Sequence, residues 1–140
     1  MKYRIVLDTN VIVSALRSSQ GASFRLLGLV GQGKFEFSVS VPLIFEYEDA
    51  CNRQGASRLK PQEIGGIIDY LCLAGDRRQI YFLWRPCLKD PKDDLVLELA
   101  VESGCDFIVT YNQKDFTGSE KFGVRVLAPK EFLTLIGECS

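Results

Sequence analysis

The chain opens on Tyr3-Arg4-Ile5-Val6-Leu7, breaks off at Asp8-Thr9-Asn10, and resumes as Val11-Ile12-Val13-Ser14-Ala15-Leu16. No other stretch constrains the fold as strongly. An apolar run that does not alternate with polar residues and is rich in β-branched side chains reads as a strand buried on both faces. Such strands belong to parallel sheets covered by helices. Parallel neighbours cannot be joined by a tight turn, so helical crossovers must follow. The rest of the chain alternates accordingly. Strands are expected at 3–7, 35–41, 80–83, 107–110 and 124–127. Helices are expected at 11–16, at 22–30, at 42–53 with Pro42 in the first turn, and from Pro61 with Ile64, Ile67, Ile68 and Leu71 at helical spacing. Two more are expected, at 93–103 with Gly104 as terminator and at 129–136. This alternation predicts an α/β fold with a mostly parallel sheet covered on both faces.

A length of 140 residues fits one domain, 1–140, which can bury a sufficient core without disulfides. The formal net charge of -1 means that a polyanionic partner would have to be met by local basic patches. The chain has no histidine, which excludes Ser-His-Asp and Cys-His nucleophilic sites and acid–base chemistry by histidine. Five cysteines (Cys51, Cys72, Cys87, Cys105 and Cys139) are dispersed without a C-x-x-C pair, a pattern that suits buried thiols in a reducing compartment. No signal peptide or membrane-length apolar run is evident, so a cytoplasmic protein without a membrane partner is expected.

Asp8 ends the first strand, at the edge where open α/β sheets bind ligands. A carboxylate there is costly unless it is paired or holds a cation, although it also suits the N-cap of the helix that follows. Glu46 borders the apolar stripe formed by Leu43, Tyr47, Ala50 and Cys51, so it can look inward; a boundary glutamate that reaches water is the plainer alternative. Asp90-Pro91-Lys92-Asp93-Asp94 contains more acids than one helix cap needs. Asp93 shares a face with Leu97 and Ala100, and Asp94 points about a quarter-turn away. The strand at 107–110 ends in Tyr111, Asn112, Gln113, Lys114 and Asp115, repeating the polar layout after strand one. Asp106 precedes its strand and belongs to the opposite edge. Carboxylates gathered on one edge raise one another's pKa values. Oxygen-only donors select hard cations such as Mg²⁺ or Mn²⁺, which activate water for phosphate chemistry.

Four ordered pieces resemble the PIN-domain ribonucleases, particularly the VapC-like group of toxin components of toxin–antitoxin pairs. They are Val6-Leu7-Asp8-Thr9-Asn10-Val11, Ser40-Val41 through Glu46-Tyr47, Asp90-Pro91-Lys92-Asp93-Asp94 through Leu99-Ala100, and Asp106-Phe107-Ile108-Val109-Thr110. The resemblance implies a three-layer α/β/α sandwich and an acid cluster that binds Mg²⁺ or Mn²⁺. By position it assigns catalysis to Asp8, Glu46 and Asp93. Metal binding would fall to these three with Asp115, and Asn10, Thr110 and Asn112 would support the site. Asn112 departs from the pattern, since many relatives carry an aspartate two residues after the threonine; Asp115 is the substitute.

The expected reaction is metal-dependent hydrolysis of RNA phosphodiester bonds, with Lys89, Lys92 and Lys114 meeting backbone phosphates. For any one of these lysines a solvated surface charge is the plainer reading. The family further implies a homodimer and an antitoxin partner that covers the site. Phe45, opposite the apolar stripe of its helix, suits an interface. The alternative is a catalytically weak or inactive PIN module that binds RNA or a protein, a reading that Asn112 favours. An aspartyl-phosphate phosphotransferase ranks third, because its usual second aspartate is replaced here by Asn10.

Overall fold

The computed structural model describes residues 2–54, 59–79, 88 and 90–138. Their strands form one parallel sheet of order β3-β2-β1-β4-β5. The opening run supplies the central strand β1 (Arg4–Leu7), flanked by β2 (Glu36–Val39) and β4 (Phe107–Val109). β3 (Asp76–Arg77) and β5 (Arg125–Leu127) form the two edges. Ile5, Val6 and Leu7 are fully buried, as expected for a strand covered on both faces.

Six helices cover the sheet in a three-layer α/β/α arrangement. They are α1 (Thr9–Arg17), α2 (Ala22–Leu29), α3 (Val41–Gln54), α4 (Pro61–Ala74), α5 (Pro91–Glu102) and α6 (Pro129–Leu135). Pro61, Pro91 and Pro129 each occupy the first helical position, where a missing N–H costs nothing and the fixed φ suits the helix. Gly104, with φ 66, follows α5 in the left-handed conformation that a helix end often requires. α5 packs on β1, β2 and β4; α1 packs on α2 and α3, and α3 on α4.

The edge strand is Asp76–Arg77 and begins directly after α4, with Ser38 opposite Asp76 and Val39 opposite Arg77; the expected strand at 80–83 lies outside the described residues. Between β4 and β5 the chain forms two 3-10 turns, Gln113–Phe116 and Ser119–Phe122, the second flanked by Gly118 and Gly123 at positive φ.

Because all five strands run the same way, their carboxyl ends share one edge. Register makes this precise in space: Leu7 lies opposite Val109, and Val109 opposite Leu127. The ladder extends one residue further, with Asp8 N–H donating to the Val109 carbonyl at 2.9 Å and Thr110 N–H to the Leu127 carbonyl at 2.9 Å. Asp8 and Thr110 are therefore neighbours across the sheet although 102 positions apart in sequence.

Candidate functional site

Asp8 leaves the strand in extended conformation and caps α1, its Oδ1 accepting the Thr9 N–H at 2.8 Å. Its Oδ2 accepts the Thr110 hydroxyl at 2.8 Å and the Asn10 side-chain amide at 3.3 Å. Thr110 is fully buried, and its oxygen already accepts N–H groups from Asn10 Nδ2 at 3.2 Å and Asn112 N at 3.0 Å. Its single proton is thus committed to Asp8, and the hydroxyl can only present that acid with a donor. Asn10 is oriented in turn, because its Oδ1 accepts the Tyr111 N–H at 3.3 Å. On the other side of β1, the buried Tyr47 hydroxyl donates to the Leu7 carbonyl and pins α3 beside the strand end.

Burial pushes the Asp8 carboxyl above its ordinary range. The hydrogen bonds from Thr110 and Thr9 oppose the rise, and the charges of Asp115 and Asp90 add to it. Asp93, in the first turn of α5, is pushed up to about 7 by burial first, then by Asp8, Asp115, Asp90 and Asp94. The charge of the exposed Asp115 thus reaches both carboxyls, and that of Asp8 reaches Asp93. Asp90 caps α5 through the Lys92 N–H at 2.9 Å. Tyr47 is also raised, by burial and then by Asp8.

Glu46 stands apart from this cluster in its partners. It is mostly buried, and its Oε1 lies 3.4 Å from Lys92 Nζ and 4.0 Å from Arg53 Nη2. Lys92 immediately precedes Asp93, so the ion pair brings α3 up against the start of α5. Glu48 and Asp49 are exposed, in keeping with the helical-wheel reading. Asp115 and Asn112 lie exposed on the rim, as does Lys114. Lys92 is exposed apart from its contact with Glu46, and Lys89 falls outside the described residues. Among the described residues, no three Asp, Glu or Cys side chains stand in ready-made metal-ligand geometry.

Two acids escaped the sequence reading. Asp94, expected to point away, is buried, and its Oδ1 accepts the Leu88 N–H at 3.0 Å, tying the preceding segment to α5. Glu98, one turn along, is buried as well. A signal was present: α5 is apolar around most of its circumference, so acids that interrupt it have few exposed positions left to occupy.

The donor set fits a hard divalent cation. It is all oxygen, it sits at a sheet edge, and Asp8 and Asp93 share a desolvated neighbourhood where a positive charge would relieve both. Asp8, Asp93 and Asp115 would hold such an ion, with Thr110 and Asn10 orienting Asp8.

The family model described as PIN domain matches residues 4–114. Among solved structures, the chain is similar to one in the crystal structure of VapBC2 from Rickettsia felis bound to a DNA fragment from their promoter. The TM-score is 0.59 at 15% identity, covering 88% of this chain and 98% of that one. No curated protein matches the chain.

Proposed function

Because the chain belongs to the PIN-domain family, we propose that it is a divalent-metal-dependent endoribonuclease, the toxin component of a toxin–antitoxin pair. The observation that carries this reading is the placement of two acids at the carboxyl edge of a parallel sheet: Asp8 directly after β1 and Asp93 in the first turn of α5, each raised first by burial, with the charge of Asp8 raising Asp93 further. Mg²⁺ or Mn²⁺ bound there supplies a water of lowered pKa and charge stabilisation at phosphate oxygens. Asp8 is held by three donors, the Thr9 N–H, the Asn10 amide and the Thr110 hydroxyl. Asp93, raised to about 7, would stand ionised beside a bound cation. Glu46, paired with Lys92 and Arg53, sets the position of the α5 start, and Asp115 supplies the outer charge that Asn112 lacks. Lys114 meets the RNA backbone from the same rim segment.

Partners follow from the same reading. An antitoxin-type protein covers the site, as the VapBC2 neighbour suggests, and two copies pair through a face that includes exposed Phe45. The site of action is the cytoplasm; among the described residues no helix is long and apolar enough to cross a membrane.

A second reading, a catalytically weak module that binds RNA or protein, draws on the cations already paired with Glu46 and on Asn112. One assay separates the two. Wild type and Asp8→Asn are incubated with single-stranded and structured RNA, with Mn²⁺, with Mg²⁺ and with EDTA. The nuclease reading expects metal-dependent cleavage that falls at least ~100-fold in the variant, the order of loss when a metal-ion or electrostatic catalytic group is removed. Undiminished cleavage by Asp8→Asn, or none by wild type with either ion, overturns it.

A further inference from the structure

The proposed reaction leaves Tyr111 unused, yet this residue stands at the wall of the acid site. It follows Thr110 directly, and its N–H donates to Asn10 Oδ1 at 3.3 Å while the Asn10 amide nitrogen faces Asp8 Oδ2 at 3.3 Å. Tyr111 is 47% exposed, a large fraction for an aromatic beside a buried carboxylate. Its tip is nevertheless tied down, because the hydroxyl is hydrogen-bonded to Ser23 Oγ on α2, a side chain that is itself buried. The ring is thereby fastened at both ends, by its backbone to α1 and by its hydroxyl to α2. An aromatic face held in this way loses little further freedom when something packs on it. Lys114, three residues on, adds a cation to the same rim.

We propose that Tyr111 is a substrate-binding residue whose anchored ring stacks on a nucleobase of single-stranded RNA, setting the strand across the Asp8–Asp93 edge. The inference rests on the ribonuclease reading above. Every base has a π-face, so such a platform tolerates sequence, but it requires an unstacked base. A continuous duplex keeps its bases stacked on one another and offers none.

The test measures binding without cleavage. Fluorescence anisotropy in EDTA follows a labelled single-stranded oligouridylate and an abasic ribose-phosphate chain of equal length. Tyr111→Leu is expected to weaken binding to the oligouridylate about 5- to 150-fold, the range that base–aromatic stacking supplies. On the abasic chain it should bind as wild type does. Tyr111→Phe and Tyr111→Trp keep a ring but lose the hydroxyl anchor, so they should retain most of the wild-type affinity, and Tyr111→Phe and Ser23→Ala should lower the thermal midpoint. Equal binding by wild type and Tyr111→Leu overturns the proposal. So does a loss of the same size on the abasic chain, or a loss in Tyr111→Phe as large as in Tyr111→Leu, which would assign the residue to holding α2 in place. The same preparations are assayed for cleavage with Mn²⁺. Asp8-dependent cleavage that Tyr111→Leu leaves unaffected sinks the stacking role and spares the nuclease; a wild type that neither binds nor cleaves RNA sinks both.

Discussion

Replacing Thr110 by valine tests how the acid at the end of β1 is held. The change is nearly isosteric at a fully buried position, so it leaves shape intact and removes one hydroxyl. That hydroxyl donates to Asp8 Oδ2 and accepts from Asn10 Nδ2 and Asn112 N. With Asp8 ionised, the hydrogen bond to it is to a charged acceptor, a class that contributes about 1.5–3 kcal/mol, while each neutral one contributes about 0.5–1.5. Asn10 keeps its contact with Asp8, and the exposed Asn112 finds water for its N–H, so the neutral losses fall at the low end. Thr110→Val should therefore destabilise the metal-free protein by about 2–4 kcal/mol. With an m-value of about 2 kcal/mol/M, the urea midpoint drops by about 1–2 M. In an Asp8→Asn background the charged part is absent, and the same substitution should cost only about 0.5–1.5 kcal/mol. The double-mutant cycle should show a coupling of more than about 1 kcal/mol. Thr110→Ser, which keeps the hydroxyl and loses only a methyl, should show no such coupling. Costs for Thr110→Val that are equal within about 0.5 kcal/mol in both backgrounds would refute the claim that this hydroxyl serves Asp8.

Asp93 makes a pH-dependent prediction. Its folded-state pKa of about 7 lies above the ordinary 3.8, so the folded chain holds a proton that the unfolded chain releases. Its contribution is then most favourable below pH 4 and is lost as pH rises to about 7, so the thermal midpoint of the metal-free wild type should decline across that window relative to Asp93→Asn. Superimposable midpoint–pH curves for the two would contradict the assignment. Mn²⁺ at pH 7.5 should raise the wild-type midpoint and do so far less in Asp93→Asn, because only the folded form presents the paired carboxylates; equal increments count against the site. Gly75→Ala tests packing away from the site. An added Cβ would lie 3.0 Å from the Leu71 carbonyl oxygen and from both Val39 methyls, so calorimetry should register a loss of about 1–3 kcal/mol, and an unchanged midpoint would contradict the close approach of α4 to β2.

Much of the fold can be read along the chain because its causes are local. Ile5-Val6-Leu7 is too continuously apolar for a half-exposed strand, and Pro61, Pro91 and Pro129 mark helix starts through their own fixed φ. Asp8 could be singled out because a carboxylate abruptly ends a buried run. Asp76–Arg77 could not be recognised as a strand, being short and polar; it is one only because β2 lies beside it. Likewise Asp94 and Glu98 are buried because α5 is enclosed by the sheet, and Glu46 meets Lys92 because α3 abuts α5. Neither fact resides in the neighbours of those residues in sequence.

The sequence by itself determined the alternation of buried strands and helices, the parallel sheet that follows from it, and the identity of the acids at the strand and helix ends. Only the tertiary structure decided which groups meet: that Thr110 and Asn10 hold Asp8, that the charge of Asp8 raises Asp93, and that Tyr111 reaches Ser23. The physical reason is range. Hydrophobic period and backbone preference act over a few residues, whereas hydrogen bonds and charge repulsion depend on distances that exist only once strands more than a hundred positions apart lie side by side.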